Sequence, residues 1–276
     1  MIKRISGAIF VCAFCLVIPA QSGPIGFSFT TGAPDGRLGA ASQPGPPTEI
    51  ETADDFILSG QTLINSATFT GLLPAGAPLS SVTGVGVEFY RVFPLDSSNP
   101  PDGRVPTRVN SPSDNAFMSF AIASGNLTVT LLNPNFTVAN SVLNGINPIP
   151  NQTTGGEGSV SGEEVQFTVN FPGSVNLLAD HYFFKPQVAL SSGNFYWLST
   201  ARAAPLFAGD LQAWIRNTNL DPDWLRIGTD IVGGAPPPTF NMAFSLSGTT
   251  VPEPSSFLMT FGGLIGAAIL RSLRRR

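Results

Sequence analysis

Short stretches of alternating apolar and polar residues recur along the middle of this chain, broken by clusters of Gly, Pro, Asn, Asp and Ser. Residues 62–72, 82–93, 116–122, 127–132, 164–171, 182–190, 195–200 and 240–246 are the clearest runs, rich in Val, Ile, Thr, Phe and Tyr. Alternation sends successive side chains to opposite faces, so each run reads as a strand with one buried face. Residues 82–93 (VTGVGVEFYRVF) are the strongest candidate, 136–142 a further one, and 210–215 (DLQAWI) reads as a helical turn or a strand. Outside the two ends no segment sustains a 3.6-residue apolar period. Many short strands with turn signals between them predict an all-β domain, a β-sandwich of jelly-roll-like type, over residues 51–248. Two long loops, 94–115 and 144–162, are expected to decorate its edge. Residues 23–50 carry GAPDGRLGAASQPGPP and read as a flexible N-terminal arm.

The two ends follow different patterns. Residues 1–22 run from Lys3 and Arg4 through an apolar stretch at 5–18 to Pro19, Ala20 and Ser22. A basic start, a short apolar centre and a small-x-small cleavage site describe a secretory signal peptide, handled by Sec translocation and signal peptidase. An anchor helix is the alternative, but the apolar stretch is short of the ~20 residues a span needs. Cys12 and Cys15 lie inside this segment, so the remainder of the chain is free of cysteine. At the other end, residues 249–276, three parts occur in order: Val251-Pro252-Glu253-Pro254, an uncharged apolar stretch at about 255–270, and Arg271, Arg274, Arg275 and Arg276. Prolines flanking a glutamate keep that motif out of a helix interior and accessible. The stretch is short against a hydrocarbon core of ~30 Å, and the arginines would hold its end in the cytoplasm with the domain outside.

This arrangement resembles the PEP-CTERM sorting signal, with Pro252, Glu253 and Pro254 at the motif positions. The resemblance implies recognition by an exosortase-type membrane protease, cleavage near the motif, and a source among Gram-negative bacteria that build exopolysaccharide matrix. The implied location is a transient membrane anchorage followed by the cell surface or medium. An ordinary tail anchor is the alternative. The segment Thr52-Ala53-Asp54-Asp55-Phe56-Ile57-Leu58 is similar to an opening strand of secreted β-sandwich proteins of that class, which bears on fold and not on activity.

Charge sharpens the picture once the ends are removed. Six of the 14 basic residues and one of the 18 acidic ones lie in the end segments, which leaves 8 against 17 and a net of −9 between them. An acidic exported domain is a poor nucleic-acid binder. The single histidine, His181, follows Asp180 in a strand, where neighbours point to opposite faces, so a hydrolytic triad lacks its orienting acid. One histidine and no cysteine leave no zinc set. Calcium takes oxygen ligands, and the candidates are Asp54 with Asp55 and Asp221 with Asp223, against the plainer reading of solvated turn carboxylates; Glu163 with Glu164 is a further pair. Trp197, Trp214 and Trp224 are candidates for a sugar-stacking platform, or else core packing. No catalytic constellation emerges. The expected function is a noncatalytic exported surface or matrix protein; the alternatives are a carbohydrate- or calcium-binding module, with exopolysaccharide as partner, and a secreted hydrolase.

Overall fold

The computed structural model describes residues 23, 25–45, 48–99, 105, 108–146, 152–201, 207–252 and 271. Residues 24–251 form one body. The strands are β1 (Ile25–Thr30), β2 (Pro34–Ala41), β3 (Ile50–Leu58), β4 (Thr62–Pro74), β5 (Val82–Arg91), β6 (Met118–Ile122), β7 (Leu127–Val138), β8 (Asn140–Val142), β9 (Val160–Leu177), β10 (Asp180–Leu190), β11 (Tyr196–Thr200), β12 (Trp214–Asn217), β13 (Leu225–Arg226), β14 (Asn241–Met242) and β15 (Phe244–Thr250). A single π-helical turn, Ile227–Val232, follows β13.

They form two sheets. The first, of nine strands, runs β1-β15-β4-β11-β2-β8, with β9 and then β7 extending it from β4 and with β14 paired to β11. The second, of six, runs β13-β12-β3-β10-β5-β6. All pairings between strands are antiparallel except β2 with β8. The alternation in the sequence decides the facing surfaces. Phe56, Val85, Val87, Phe89, Tyr182, Phe184 and Val188 of the second sheet are buried against Phe69, Phe167, Trp197, Phe244 and Leu246 of the first. Phe184 stacks on Phe244 at 5.1 Å and meets Phe69 at 6.3 Å, so aromatic rings bridge the two sheets. Such pairs contribute ~0.5–1.5 kcal/mol each beyond the area they bury. Gly71 is required here: a Cβ on it would lie 2.2 Å from the Phe195 ring. The all-β, sandwich-like expectation is met.

Residues 23–50 differ from expectation. They hold β1 and β2, not a flexible arm. β1 pairs along its whole length with β15, from Ile25 opposite Thr250 to Thr30 opposite Ser245. β2 lies between β11 and β8, with Leu38, Ala40 and Ala41 fully buried. Its small residues are a packing requirement rather than a sign of disorder: a Cβ on Gly39 would meet Tyr196 Cβ at 3.1 Å. Strand β2 is also held by side chains of β11, since Ser199 Oγ donates to Asp35 Oδ1 (2.6 Å) and Thr200 Oγ1 donates to the Ala33 carbonyl (2.7 Å). The sandwich therefore begins at residue 25 and not at 51.

The ambiguous segment at 210–215 resolves as extended chain leading into β12. Among the described residues no helix is long and apolar enough to cross a membrane. The signal-peptide expectation (1–22) and the membrane-helix expectation (255–270) lie outside the described residues.

Candidate functional site

The second sheet buries one face in the sandwich and turns the other outward. Along β3, Ile50, Phe56 and Leu58 point inward, while Glu51, Ala53 and Asp55 take the outer positions. On β10 the outer residues are His181, Phe183, Lys185 and Gln187; on β5, Glu88 and Tyr90; on β12, Trp214 and Arg216. Register puts Arg216 opposite Glu51 and Lys185 opposite Glu88. Facing pairs of opposite charge are the ones a sheet favours.

The outer face is not bare. A small second core, Ala53, Tyr90, Phe183, Trp214 and Trp224, covers its centre. Beside it lies an open cleft of about 510 Å³, lined by residues that include Glu49, Glu51, Glu88, Tyr90, Arg216 and Asp221. Ser98, Asn99, Asp114 and Asn115 of the 94–115 loop form one wall, so this loop shapes the cleft rather than merely decorating an edge.

The floor of the cleft is a chain of alternating charges. Lys185 Nζ is 2.7 Å from Glu51 Oε1 and 2.8 Å from Glu88 Oε2. Arg216 Nε pairs with Glu51 Oε2, and its Nη1 lies 2.8 Å from Asp221 Oδ1. Arg216 Nη2 donates to Tyr90 Oη (3.1 Å), which donates to Glu88 Oε2 (2.7 Å). The Arg216 guanidinium also stacks over the Trp224 ring at 4.3 Å. Burial opposes the charge of Glu51, but Arg216 and Lys185 together hold its carboxyl below the ordinary carboxylate value. Burial, with Glu51 beside it, pushes the Tyr90 phenol far up, so it remains a donor.

Glu51 and Glu88 both touch one ammonium, which brings them near the ~5–5.5 Å separation of a retaining glycosidase pair. An ionised Glu51 fits the nucleophile's place in such a pair and not the protonated acid's. The resemblance stops there: Lys185, itself 1% exposed, occupies the space between the two carboxyls that a glycosidic oxygen would need.

The loop wall is pinned by Arg108. Its buried guanidinium pairs with Asp114, lies 3.1 Å from Asp223 Oδ1 and sits over the Phe93 ring, with its carbon 4.4 Å from the ring centroid. Asp114 Oδ2 accepts in turn from the Ser98 and Asn99 amides (3.0 and 2.8 Å).

The residues expected to carry chemistry fare differently. Trp197, Trp214 and Trp224 are 0%, 2% and 0% exposed. They cannot offer a ring face to a sugar, and the stacking platform is corrected to core packing. Trp197 sits between the sheets with Nε1 donating to the Ala243 carbonyl (3.0 Å), and the other two belong to the outer core. The paired aspartates are drawn apart by strand alternation and by protein cations. Asp54 points inward, where Oδ2 accepts from the Met242 amide (2.7 Å); Asp55 points outward, 2.5 Å from His181 Nε2 and accepting from the Leu211 amide. Asp221 meets Arg216 and Asp223 meets Arg108. Among the described residues no three or more His, Cys, Asp or Glu side chains gather where they could hold a metal. His181 has a carboxylate partner after all, Asp55 from the neighbouring strand rather than Asp180.

Of the residues expected to form a sorting signal, Pro252 is described and partly buried and Arg271 is described and exposed. Glu253, Pro254, Arg274, Arg275 and Arg276 lie outside the described residues. Sequence reasoning passed over Glu51, Glu88, Tyr90, Lys185, Arg216 and Arg108. For Glu88, Lys185 and Arg216 the signal was a lone charge inside an apolar strand, as in VGVEFY, YFFKPQV and WIRN. No family model matches this chain, and no curated protein matches it.

Proposed function

We propose that this is an exported, noncatalytic surface or matrix protein, delivered by a C-terminal sorting signal of the PEP-CTERM kind. The observation that carries this reading is the ordered occurrence of Pro252-Glu253-Pro254, the apolar stretch at 255–270 and the terminal arginines. In this reading residues 1–22 are a signal helix removed on export, and residues 255–270 are a helix that holds the chain in the membrane until an exosortase-type protease acts at the motif. The acidic, cysteine-free β body suits an extracellular cargo. The test is the double variant Pro252→Ala, Glu253→Ala in a host with such a protease. The uncleaved precursor should accumulate in the membrane and the surface fraction should fall. Unchanged processing and delivery would refute the sorting reading.

A second reading rests on the cleft. Its polar floor and loop wall are suited to a hydrophilic polymer such as the host exopolysaccharide, bound through hydrogen bonds rather than through aromatic stacking. Jelly rolls with two sheets include sugar binders, an analogy of fold alone. Retention of the protein on immobilised exopolysaccharide, weakened by Asn99→Ala with Asn115→Ala, is the expected result; passage without delay removes this reading.

A further inference from the structure

One end of the sandwich concentrates features that the cleft does not use. The strand registers define it. Ile25 is opposite Thr250, Thr250 is opposite Thr62, Thr62 is opposite Leu177, and Asp180 is opposite Leu58. The start of β1, the end of β15, the β3–β4 turn and the β9–β10 turn are therefore neighbours. Three large apolar side chains there face solvent: Ile25 at 62% exposure, Leu178 at 61% and Ile57 at 37%. Beside them an apolar groove of about 250 Å³ is lined by Phe27, Phe29, Ile57, Phe207 and Thr250. Phe207 meets Phe29 edge-on at 5.8 Å, so the groove has an aromatic wall. The second sheet contributes Ile57 and the first contributes Phe27 and Phe29, so the patch belongs to the fold's end and not to one strand.

We propose that this end of the sandwich is a bilayer-contacting surface, through which the domain lies against the lipid interface while it is anchored. The inference rests on the anchor reading above. Thr250 ends β15, and the apolar stretch reaches Phe257 only seven residues later. At ~3.3–3.6 Å per extended residue that connection spans at most about 25 Å. An anchored chain therefore keeps this end, and not the opposite one at Pro74–Ser81, near the headgroups. Apolar side chains that are costly in water gain by inserting among the outer parts of the lipids. The patch is small for a stable pairing with a second copy, which needs about 800 Å² on each partner. It is adequate for a surface already held nearby by a tether, because tethering makes the second contact intramolecular. Once the chain is cut at the motif the tether is lost, and so weak a contact releases with it.

The experiment uses the full chain with Cys12→Ser and Cys15→Ser, reconstituted into phosphatidylethanolamine–phosphatidylglycerol vesicles. A single cysteine carries a polarity-sensitive fluorophore, either Leu178→Cys at the proposed surface or Ser192→Cys at the opposite end. Both positions are exposed, so neither label disturbs the core. Doxyl-labelled lipid should quench the probe at 178, blue-shifted from its emission in water, and should leave the probe at 192 unaffected. Equal exposure of both probes to water in a chain that floats with the vesicles overturns the contact surface and leaves the anchor standing. Failure to float overturns the anchor and this inference together. Protection at 178 that grows with protein-to-lipid ratio and is blind to doxyl lipid assigns the patch to a second copy and overturns the bilayer proposal.

Discussion

Asp54 shows how neighbours in sequence are set on opposite faces of a strand. Adjacent in sequence, Asp54 and Asp55 point to the two faces of β3. Asp55 reaches His181, while Asp54 enters the sandwich with no exposed surface and with its Oδ1 lacking a hydrogen-bond partner. Burial first, and the nearby charge of Asp55 next, raise the Asp54 carboxyl well above its usual value. Burial also raises Asp55, against the pull of His181. The folded protein thus holds the Asp54 proton more tightly than the unfolded chain does. Its stabilising contribution is complete below the unfolded value of about 3.9 and is lost as pH rises through the folded value. Glu51 has the opposite sign: its contribution is present above its unfolded value of about 4.3 and is lost as pH falls through the lowered folded one. Asp54→Asn keeps an acceptor for the Met242 amide and removes the proton linkage. Thermal midpoints followed by circular dichroism from about pH 4 upward should fall more steeply in the parent than in the variant, with Asp55 leaving a shallower decline. Parallel profiles would show that Asp54 is ionised in the fold.

Elements in this protein are decided by pairing more than by composition. β2 has the residues of a turn-rich linker, PDGRLGAA, yet it is an interior strand because β11 and β8 claim its two edges. Deleting residues 25–41 should therefore abolish cooperative unfolding and the near-ultraviolet signal of the buried aromatics, since it opens both β15 and β11. An arm would be removable at little cost, and a deletion that melts like the parent would restore that view. β7 illustrates the reverse case, a long strand at a sheet edge. Its pairing with β9 shifts register at Leu131/Asn133 and again at Asn133/Phe136, around Pro134. A missing amide and two irregularities interrupt the edge where Leu131 and Leu132 are exposed, which discourages pairing with another chain. The loop at 144–162 has its own fastening: the Glu157 carboxylate accepts the Leu143, Asn144 and Gly145 amides at 2.9, 2.7 and 2.9 Å.

For the body as a whole, two cores share one sheet. The inner core is continuous and aromatic; the outer one is five side chains beneath a loop that Arg108 holds down. Stability without disulfides is reasonable for a body of this size, because the fraction of surface buried grows with chain length. The charged row of Glu88, Lys185, Glu51, Arg216 and Asp221 lies beside the outer core on the same face. Only its centre, Lys185, Glu51 and Arg216, is buried, and removing one of these three leaves an uncompensated buried charge, which costs ~3–5 kcal/mol. The exposed apolar end and the charged cleft are thus separate surfaces, lined by different residues.

What the sequence determined by itself was what depends on local order along the chain. Alternating residues announced the strands from 62 onward, because a strand's side-chain period is written directly in the sequence. The motif, apolar stretch and arginines at 252–276 are legible for the same reason, being contiguous. The tertiary structure alone decided which charges meet. Glu51 finds Lys185 and Arg216 only through the register of β3 with β10 and β12, and His181 finds Asp55 across strands instead of Asp180 beside it. It alone buried the three tryptophans and made β2 a strand. A residue's environment depends on partners far away in the chain, and neither composition nor local period encodes which partners those are.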